Sequence, residues 1–229
     1  MNEYDHKKYK TLINLSGGAD SVYLLYKYLM ENKHVVVHHC NMKNHEGRFL
    51  AERSATNKVI KWLKDNKLET FIYFESSMDY GTIRYIVKDI EVIGFFTGVI
   101  IRDSKFNNLT EIAISANCND ESTNPNDPSV INRKKIIDVL KPKTRDIELT
   151  FPIIHMSKQD IIKSMPKELL DKIWFCRRPK YYDKGDEIVS YRDEENAVYA
   201  VPCKIGCSPC KAIFPVFEEL GINYEKYFL

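Results

Sequence analysis

Apolar residues along the first 150 positions of the chain follow two alternating patterns. Short runs of β-branched and aliphatic residues predict four strands, at 10–15, 35–39, 71–74 and 111–116. Between these runs, apolar residues recur with helical spacing and predict helices at 20–30, 48–64, 83–101 and 134–140. Because strand and helix alternate, we expect an α/β fold with a doubly wound, mostly parallel sheet that helices cover on both faces.

The pattern changes near residue 150, so we divide the chain into a first domain at 1–150 and a C-terminal region at 151–229. Phe151–Ile154 is predicted to be extended. Ser157 is followed by Asp160, which is typical of a helix start with a capping box. Further on, two short apolar segments within 187–201 predict an inserted β-hairpin, with 187–191 paired to 197–201.

Composition and charge narrow the class of protein. The chain has 229 residues and a net charge of +2, with 34 basic and 32 acidic side chains. Such a balance gives no support for a nucleic-acid surface, although it leaves a local basic patch open. The first ten residues are polar, and no apolar run reaches the roughly 18 residues of a membrane span. We therefore expect a cytoplasmic protein without membrane contact.

The strongest local motif is the glycine loop, which we define as residues 16–21, Ser-Gly-Gly-Ala-Asp-Ser. It follows a predicted strand and opens a predicted helix, where free backbone N–H groups and the helix dipole favour an anion such as phosphate. Asp20 would repel phosphate, so we expect it to hold a bridging Mg²⁺. The alternative is an ordinary glycine turn with a capping side chain. The expected nucleotide-binding residues are Leu15, Ser16, Gly17, Gly18, Ala19, Asp20, Ser21 and Val22.

Four of the six cysteines form a second motif. Cys203, Cys207 and Cys210 have the spacing of a metal knuckle, and Cys176 is the natural fourth ligand. In a reducing compartment, clustered cysteines bind metal more often than they form disulfides. Because four thiolates close the coordination sphere, we expect a structural Zn²⁺ in the C-terminal region. A redox pair or small core residues are the alternatives.

The glycine loop resembles the signature of the ATP-pyrophosphatase enzymes, known as PP-loop enzymes. The resemblance implies a Rossmann-like fold of the adenine nucleotide α-hydrolase type. It also implies use of ATP to adenylate an oxygen of the substrate. Three further features, the cysteine motif, Ile173–Cys176 and the segment 151–162, make the chain similar to the 7-cyano-7-deazaguanine synthase family. Enzymes of that family are ATP-dependent carbon–nitrogen ligases. They convert a carboxylated deazapurine and ammonia to the nitrile, preQ0, for queuosine biosynthesis.

This resemblance implies roles for further residues. Lys158 and Arg102 are candidates, with Asp20, for the catalytic groups that stabilise charge on the phosphates. Residues 117–127 stand where the family has its base-recognition loop, so we expect substrate contacts from Asn117 and Asp120. The family's aromatic stretch after the second strand is replaced here by 38–48, in which His39 and Asn41 are the expected substrate residues. The resemblance also implies a homodimer.

Two other functions remain open at the level of sequence. One is a tRNA-modifying enzyme with the same loop, either a lysidine-type ligase or a sulfur-inserting enzyme in which Cys40 or Cys118 is reactive. Such an enzyme would need a basic face. The other is a nucleotide-binding or conjugating module without turnover, as in a phage or antiviral system.

Overall fold

The structure of this chain is a computed structural model that describes residues 6–83, 88–118 and 124–229. Five parallel strands in its first 150 residues form one sheet, in the order β3-β2-β1-β4-β5. Their bounds are β1 (Thr11–Asn14), β2 (Val35–Lys43), β3 (Phe71–Asp79), β4 (Glu111–Ala113) and β5 (Glu148–Thr150). The predicted α/β class with a parallel sheet is thereby confirmed.

Seven α-helices lie within the described residues. They are α1 (Ala19–Met30), α2 (Phe49–Asp65), α3 (Asp89–Arg102), α4 (Pro128–Leu140), α5 (Lys158–Lys163), α6 (Lys167–Leu170) and α7 (Ser208–Glu219). The span predicted for α3 began at Ile83, of which 84–87 fall outside the described residues. None of the helices in the described part of the chain has both the length and the apolar character needed to cross a membrane.

Neighbouring residues of β1 show how the sheet is covered. Ile13 and Leu12 are both fully buried, but their side chains point to opposite faces because the period of a strand is two. Ile13 belongs to the core that includes α1 and α2, whereas Leu12 belongs to a second core with α3 and α4. Helices therefore pack on both faces. From β1, the sheet continues through β2 and β3 on one side and through β4 and β5 on the other. This change of direction creates a crevice at the carboxyl end of β1.

The C-terminal region forms a second, antiparallel sheet. Its strands are β6 (Lys180–Tyr182), β7 (Ile188–Val189), β8 (Tyr199–Val201) and β9 (Tyr227–Phe228), in the order β7-β6-β8-β9. The predicted pairing of 187–191 with 197–201 is wrong, since β7 and β8 each pair with β6. The reason is a tight turn after β6, where the Asp183 carboxylate accepts hydrogen bonds from the N–H groups of Gly185 and Glu187.

Several elements differ in length from their predicted spans. β2 and β3 pair from Val35 and Phe71 as far as Lys43 and Asp79, because backbone pairing continues through polar residues that carry no apolar pattern. α4 begins at Pro128 rather than at 134, since the Asp127 side chain caps its first turn. The segment 151–154 is a turn instead of an extended stretch, and the short strand β5 precedes it.

The C-terminal region shares the larger core of the sheet. Trp174 and Phe217 are both fully buried in the same hydrophobic cluster as Ile13 and Val37. The backbone N–H of Trp174 donates to the carbonyl oxygen of Gly17 at 2.8 Å. The segment that leads to Cys176 therefore lies directly against the glycine loop.

Candidate functional site

The glycine loop occupies the crevice at the carboxyl end of β1. Leu15 extends the sheet pairing, since its N–H donates to the carbonyl oxygen of His38 at 2.8 Å. Gly17 then adopts a left-handed conformation with φ of +77°. A Cβ at this position would lie 3.0 Å from the backbone oxygen of Glu52 and 3.1 Å from Ala55. The first glycine is therefore required both by its backbone conformation and by its close packing on α2.

Two serine hydroxyls hold the loop in shape. The Oγ of Ser21 accepts from the N–H of Ser16 at 3.1 Å and lies 3.0 Å from the Oγ of Ser16. Gly18 is the N-cap of α1 and offers no side chain to the first-turn amides. Those amides have no acceptor within the helix and lie at the positive end of its dipole. The loop is thus suited to an anion.

Asp20 joins three segments that are distant in sequence. One carboxylate oxygen forms an ion pair with the ammonium group of Lys158, and the other accepts from the side-chain amide of Asn117 at 3.2 Å. Lys158 is the first residue of α5, whose start is fixed by the capping box of Ser157 and Asp160. The structure therefore brings together three residues that the sequence singles out. Asn117 lies 97 positions and Lys158 lies 138 positions from Asp20 along the chain.

A cavity of about 300 Å³ adjoins the loop and Asp20. Its apolar lining includes Ile90, Ile93, Ile114 and Ile137, and its cations are Arg133 and Arg177. Sequence reasoning missed both arginines. The position of Arg177 directly after a predicted metal ligand was a usable signal, whereas that of Arg133 depends on how α4 packs on α3.

His39 and Asn41 do not line this cavity. Both are buried on the α2 side of the sheet. The Nδ1 of His39 donates to the carbonyl oxygen of Leu15 at 2.7 Å, and the Asn41 amide donates to Glu75 at 2.9 Å. His39 borders a smaller space of about 30 Å³, which shares Asn14, Ser16 and Ile93 with the wall of the cavity. In this structure, His39 therefore supports the residue before the glycine loop, and Asn41 supports the pairing of β2 with β3.

The His38 side chain points to the opposite face of the sheet, beneath the cavity beside the glycine loop. Its Nδ1 donates to the side-chain oxygen Oδ1 of Asn14 at 3.1 Å, so its Nε2 accepts from the Ser76 hydroxyl at 2.7 Å. The side chain of Asn14 in turn donates to Thr97 at 3.0 Å. Burial, together with the neighbouring His39, lowers the pKa of His38 to about 4. The ring is therefore neutral at physiological pH, and this buried polar chain is internally satisfied.

The remaining predicted site residues are placed as follows. Arg102 is the exposed last residue of α3, beyond Thr97, where that helix ceases to line the cavity, so the structure does not bring it to the loop. Asp120 falls outside the described residues. Leu15, Ala19 and Val22 point their side chains into the core and can offer a ligand only backbone groups.

The four cysteines of the predicted knuckle converge. The sulfur atoms of Cys176, Cys203, Cys207 and Cys210 all lie within 4.8 Å of one another, and those of Cys203 and Cys210 are 3.7 Å apart. Tetrahedral Zn²⁺ with sulfur at about 2.3 Å would separate its ligands by about 3.8 Å. The cluster could therefore hold a metal ion such as zinc.

Hydrogen bonds to the sulfur of Cys176 stabilise its thiolate form. The Sγ of Cys176 accepts from the N–H groups of Arg178 at 3.3 Å and Cys203 at 3.2 Å. The pKa of Cys176 is lowered to about 6, chiefly because the Cys210 thiol donates to it, and these backbone donors add to the shift. The thiolate, which is the form that binds metal, is thus favoured at this position.

No family model and no curated protein matches the amino-acid sequence of this chain. Its class is therefore defined by its own geometry. It is an α/β protein with a parallel sheet, a glycine loop and adjoining cavity at the carboxyl end of β1, and a four-cysteine cluster packed beside that loop.

Proposed function

We propose that this chain is an ATP-dependent carbon–nitrogen ligase of the PP-loop type, which adenylates a carboxylate and adds ammonia. The resemblance noted above makes 7-carboxy-7-deazaguanine, or a related deazapurine, the proposed substrate. One observation carries the proposal. The glycine loop lies at the switch point of the sheet, opens to a cavity of about 300 Å³, and has the Asp20–Lys158 pair at its edge.

Each group has a role in this chemistry. The first-turn amides of α1 would hold the phosphates, and Ser16 and Ser21 would keep the loop in shape. Asp20 offers the single carboxylate that Mg²⁺ commonly uses together with phosphate oxygens, and the ion supplies charge neutralisation there when bound. Lys158 would move from Asp20 toward the phosphate, where it offsets the charge that develops in the transition state.

The proposed reaction balances in two stages. An oxygen of the substrate carboxylate attacks the α-phosphorus of ATP, and pyrophosphate leaves. Ammonia then attacks the carbonyl carbon, AMP departs with that oxygen, and one proton is lost to give the amide. The amide oxygen then attacks the α-phosphorus of a second ATP and pyrophosphate leaves. A second AMP departs with that oxygen, and two protons are lost to give the nitrile. The apolar lining of the cavity would exclude water from the activated acid.

We propose Zn²⁺ as the resident ion of the cysteine cluster. Four thiolates leave no coordination position open, so the ion would be structural rather than catalytic. It would join the segment after Trp174 to the start of α7, where Cys210 lies. Through the contact of Trp174 with Gly17, it would also support the glycine loop.

The cysteines outside the cluster bear on the sulfur-inserting alternative. Cys40 is buried, and that burial raises its pKa to about 11, so its thiol is protonated at neutral pH. A protonated, buried thiol is a poor nucleophile. This argues against Cys40 as a sulfur carrier, whereas Cys118, the other candidate thiol, is exposed.

A product assay tests the proposal. Zinc-loaded protein is incubated with ATP, Mg²⁺, ammonia and 7-carboxy-7-deazaguanine, and products are followed by mass spectrometry. We expect amide and nitrile that require both ATP and ammonia, and at least about 100-fold less of them from Asp20→Asn. Absence of both products would remove the substrate assignment. ATP binding without product from any acid in a panel would instead favour the module without turnover.

A further inference from the structure

The cavity beside the glycine loop contains two guanidinium groups that the proposed phosphate contacts do not use. Arg133 comes from α4, and Arg177 follows the cysteine Cys176. Neither was selected from the sequence, and they reach one cavity from positions 44 residues apart. A planar guanidinium matches the geometry of a carboxylate or a phosphate better than any other side chain.

Arg133 is positioned by a glycine on the neighbouring helix. It is only 6% exposed, yet it lines the cavity. A Cβ at Gly94 of α3 would lie 3.0 Å from the Cγ of Arg133, and one at Gly98 would lie 2.6 Å from the Cβ of Leu140. These two glycines therefore let α4 approach the backbone of α3 and let the arginine side chain cross it. The placement of this buried cation is specific to this helix pair.

Arg177 is positioned by the cysteine cluster and the glycine loop together. Trp174 is bonded to Gly17 through its backbone N–H, and its indole N–H donates to the carbonyl oxygen of Cys176 at 2.8 Å. Cys176 is a candidate metal ligand, and the next residue enters the cavity. Arg177 is exposed and has no hydrogen bond or ion pair within the described part of the chain.

The carboxylates of the cavity have cation partners outside the arginine pair. Asp20 pairs with Lys158, and Asp89 pairs with Arg48, which is shared with two glutamates at 3.0 and 3.3 Å. The two arginines bring positive charge to the cavity wall itself, where an oxyanion can accept hydrogen bonds from a guanidinium group. The four isoleucines that also line the cavity suit an apolar body that carries such an anion.

We infer that Arg133 and Arg177 form a second anion subsite beside the glycine loop, and that the cysteine cluster positions Arg177. The ligand is an oxyanion on an apolar body. Within the proposed function, on which this assignment of ligands rests, it is the carboxylate of the acid substrate or the α-phosphate of the nucleotide. The subsite would hold the two reacting groups near each other, because both belong to the same cavity as Asp20.

Two matched pairs of variants test the subsite. Arg177→Gln is compared with Arg178→Gln, an exposed neighbour that does not line the cavity, and Arg133→Gln is compared with Lys134→Gln on the same helix. Calorimetry measures binding of inorganic pyrophosphate, Mg-ATP, 7-carboxy-7-deazaguanine and the uncharged carboxamide of that acid. Zinc content and circular dichroism confirm that each variant is loaded and folded.

We expect both cavity variants to weaken binding of the carboxylate about tenfold or more, as loss of a charge-assisted hydrogen bond does. Binding of the carboxamide should change less than about threefold, and both control variants should resemble wild type. An equal loss of Mg-ATP affinity, with the carboxylate unaffected, would assign the subsite to the phosphate. Unchanged binding of every probe by Arg177→Gln and Arg133→Gln would overturn the inference.

The outcome separates the subsite from the proposed function. If wild type binds pyrophosphate through Arg177 but does not bind Mg-ATP, the ATP-dependent function fails and the anion subsite stands. If Mg-ATP binds normally and neither arginine affects any probe, only the subsite fails. Cys176→Ser should lower carboxylate affinity as Arg177→Gln does. A folded Cys176→Ser protein with wild-type affinity would contradict positioning by the cluster.

Discussion

The glycine loop and the cysteine cluster differ in how far their own atoms explain their shape. In the loop, the hydroxyls of Ser16 and Ser21 bond to each other and to the backbone, and Asp20 has Lys158 as a partner. In the cluster, four sulfurs converge to within 4.8 Å, which an apolar core alone does not require. Because the polar groups of the loop already have partners within the protein, their arrangement does not by itself identify a ligand. The four converging sulfurs are better explained by a bound metal ion, so the cluster identifies its ligand more closely.

Removal of the metal from the cysteine cluster should have the largest effect on stability. If the cluster holds structural zinc, Cys210→Ser or strong chelation should abolish stoichiometric zinc and lower the free energy of unfolding by several kcal/mol. Zinc analysis and thermal unfolding measure the two effects. Cys118→Ser, at an exposed cysteine outside the cluster, is the control and should retain both. A metal-free protein with unchanged stability would contradict the structural role.

The buried histidine beneath the cavity should give the next largest effect. His38 is 1% exposed, and its pKa of about 4 lies below its ordinary value of 6.5. Between these values the unfolded chain binds the proton and the folded chain does not. Stability contributed by the neutral ring is therefore full above pH 6.5 and is lost as the pH falls toward 4, by about 3 kcal/mol in total.

Denaturant unfolding across this pH range measures that loss. His38→Gln keeps a polar side chain but does not titrate, so its stability should depend less steeply on pH than that of wild type. Equal slopes for the two proteins would show that folding does not lower the pKa of His38, which would contradict the buried, neutral ring described above.

The two loop glycines should separate packing from ligand contact. Gly17→Ala forces a side chain into a left-handed conformation and against the backbone of Glu52, so we expect a loss of about 1–3 kcal/mol in stability. At Gly18, the N-cap of α1, a Cβ would meet nothing closer than 3.4 Å, so Gly18→Ala should cost less than about 1 kcal/mol in stability. Chemical denaturation compares the pair. Similar losses for both would refute this division of roles.

Much of the fold follows from the sequence because burial leaves a pattern. The apolar runs of β1 and β2 and the faces of α1 and α2 are buried over nearly their whole length, so their periodicity was clear. The carboxyl half of β2 is polar, and β5 has three residues, so neither carries such a pattern. The early start of α4 was encoded by Asp127 and Pro128, a cap and a first-turn proline rather than an apolar stripe.

The site could be predicted only where local chemistry defines it. The cysteine spacing and the loop motif are local. The structure also pairs Asp20 with Lys158 and Asn117, whose roles in binding and catalysis stay predictions. Arg133 could not be found in this way, because its access to the cavity depends on the contact of α4 with Gly94. The pairing of β8 with β6 could not be predicted for a similar reason, since it depends on the turn at Asp183.

The central claim is that the glycine loop binds a nucleotide triphosphate with a divalent ion at Asp20. Isothermal titration of zinc-loaded protein with ATP, with and without Mg²⁺, tests it most directly. We predict saturable, magnesium-dependent binding that Gly18→Ala and Asp20→Asn each weaken at least about tenfold, while both proteins remain folded. Absence of binding by wild type, or binding that neither substitution affects, would contradict the account.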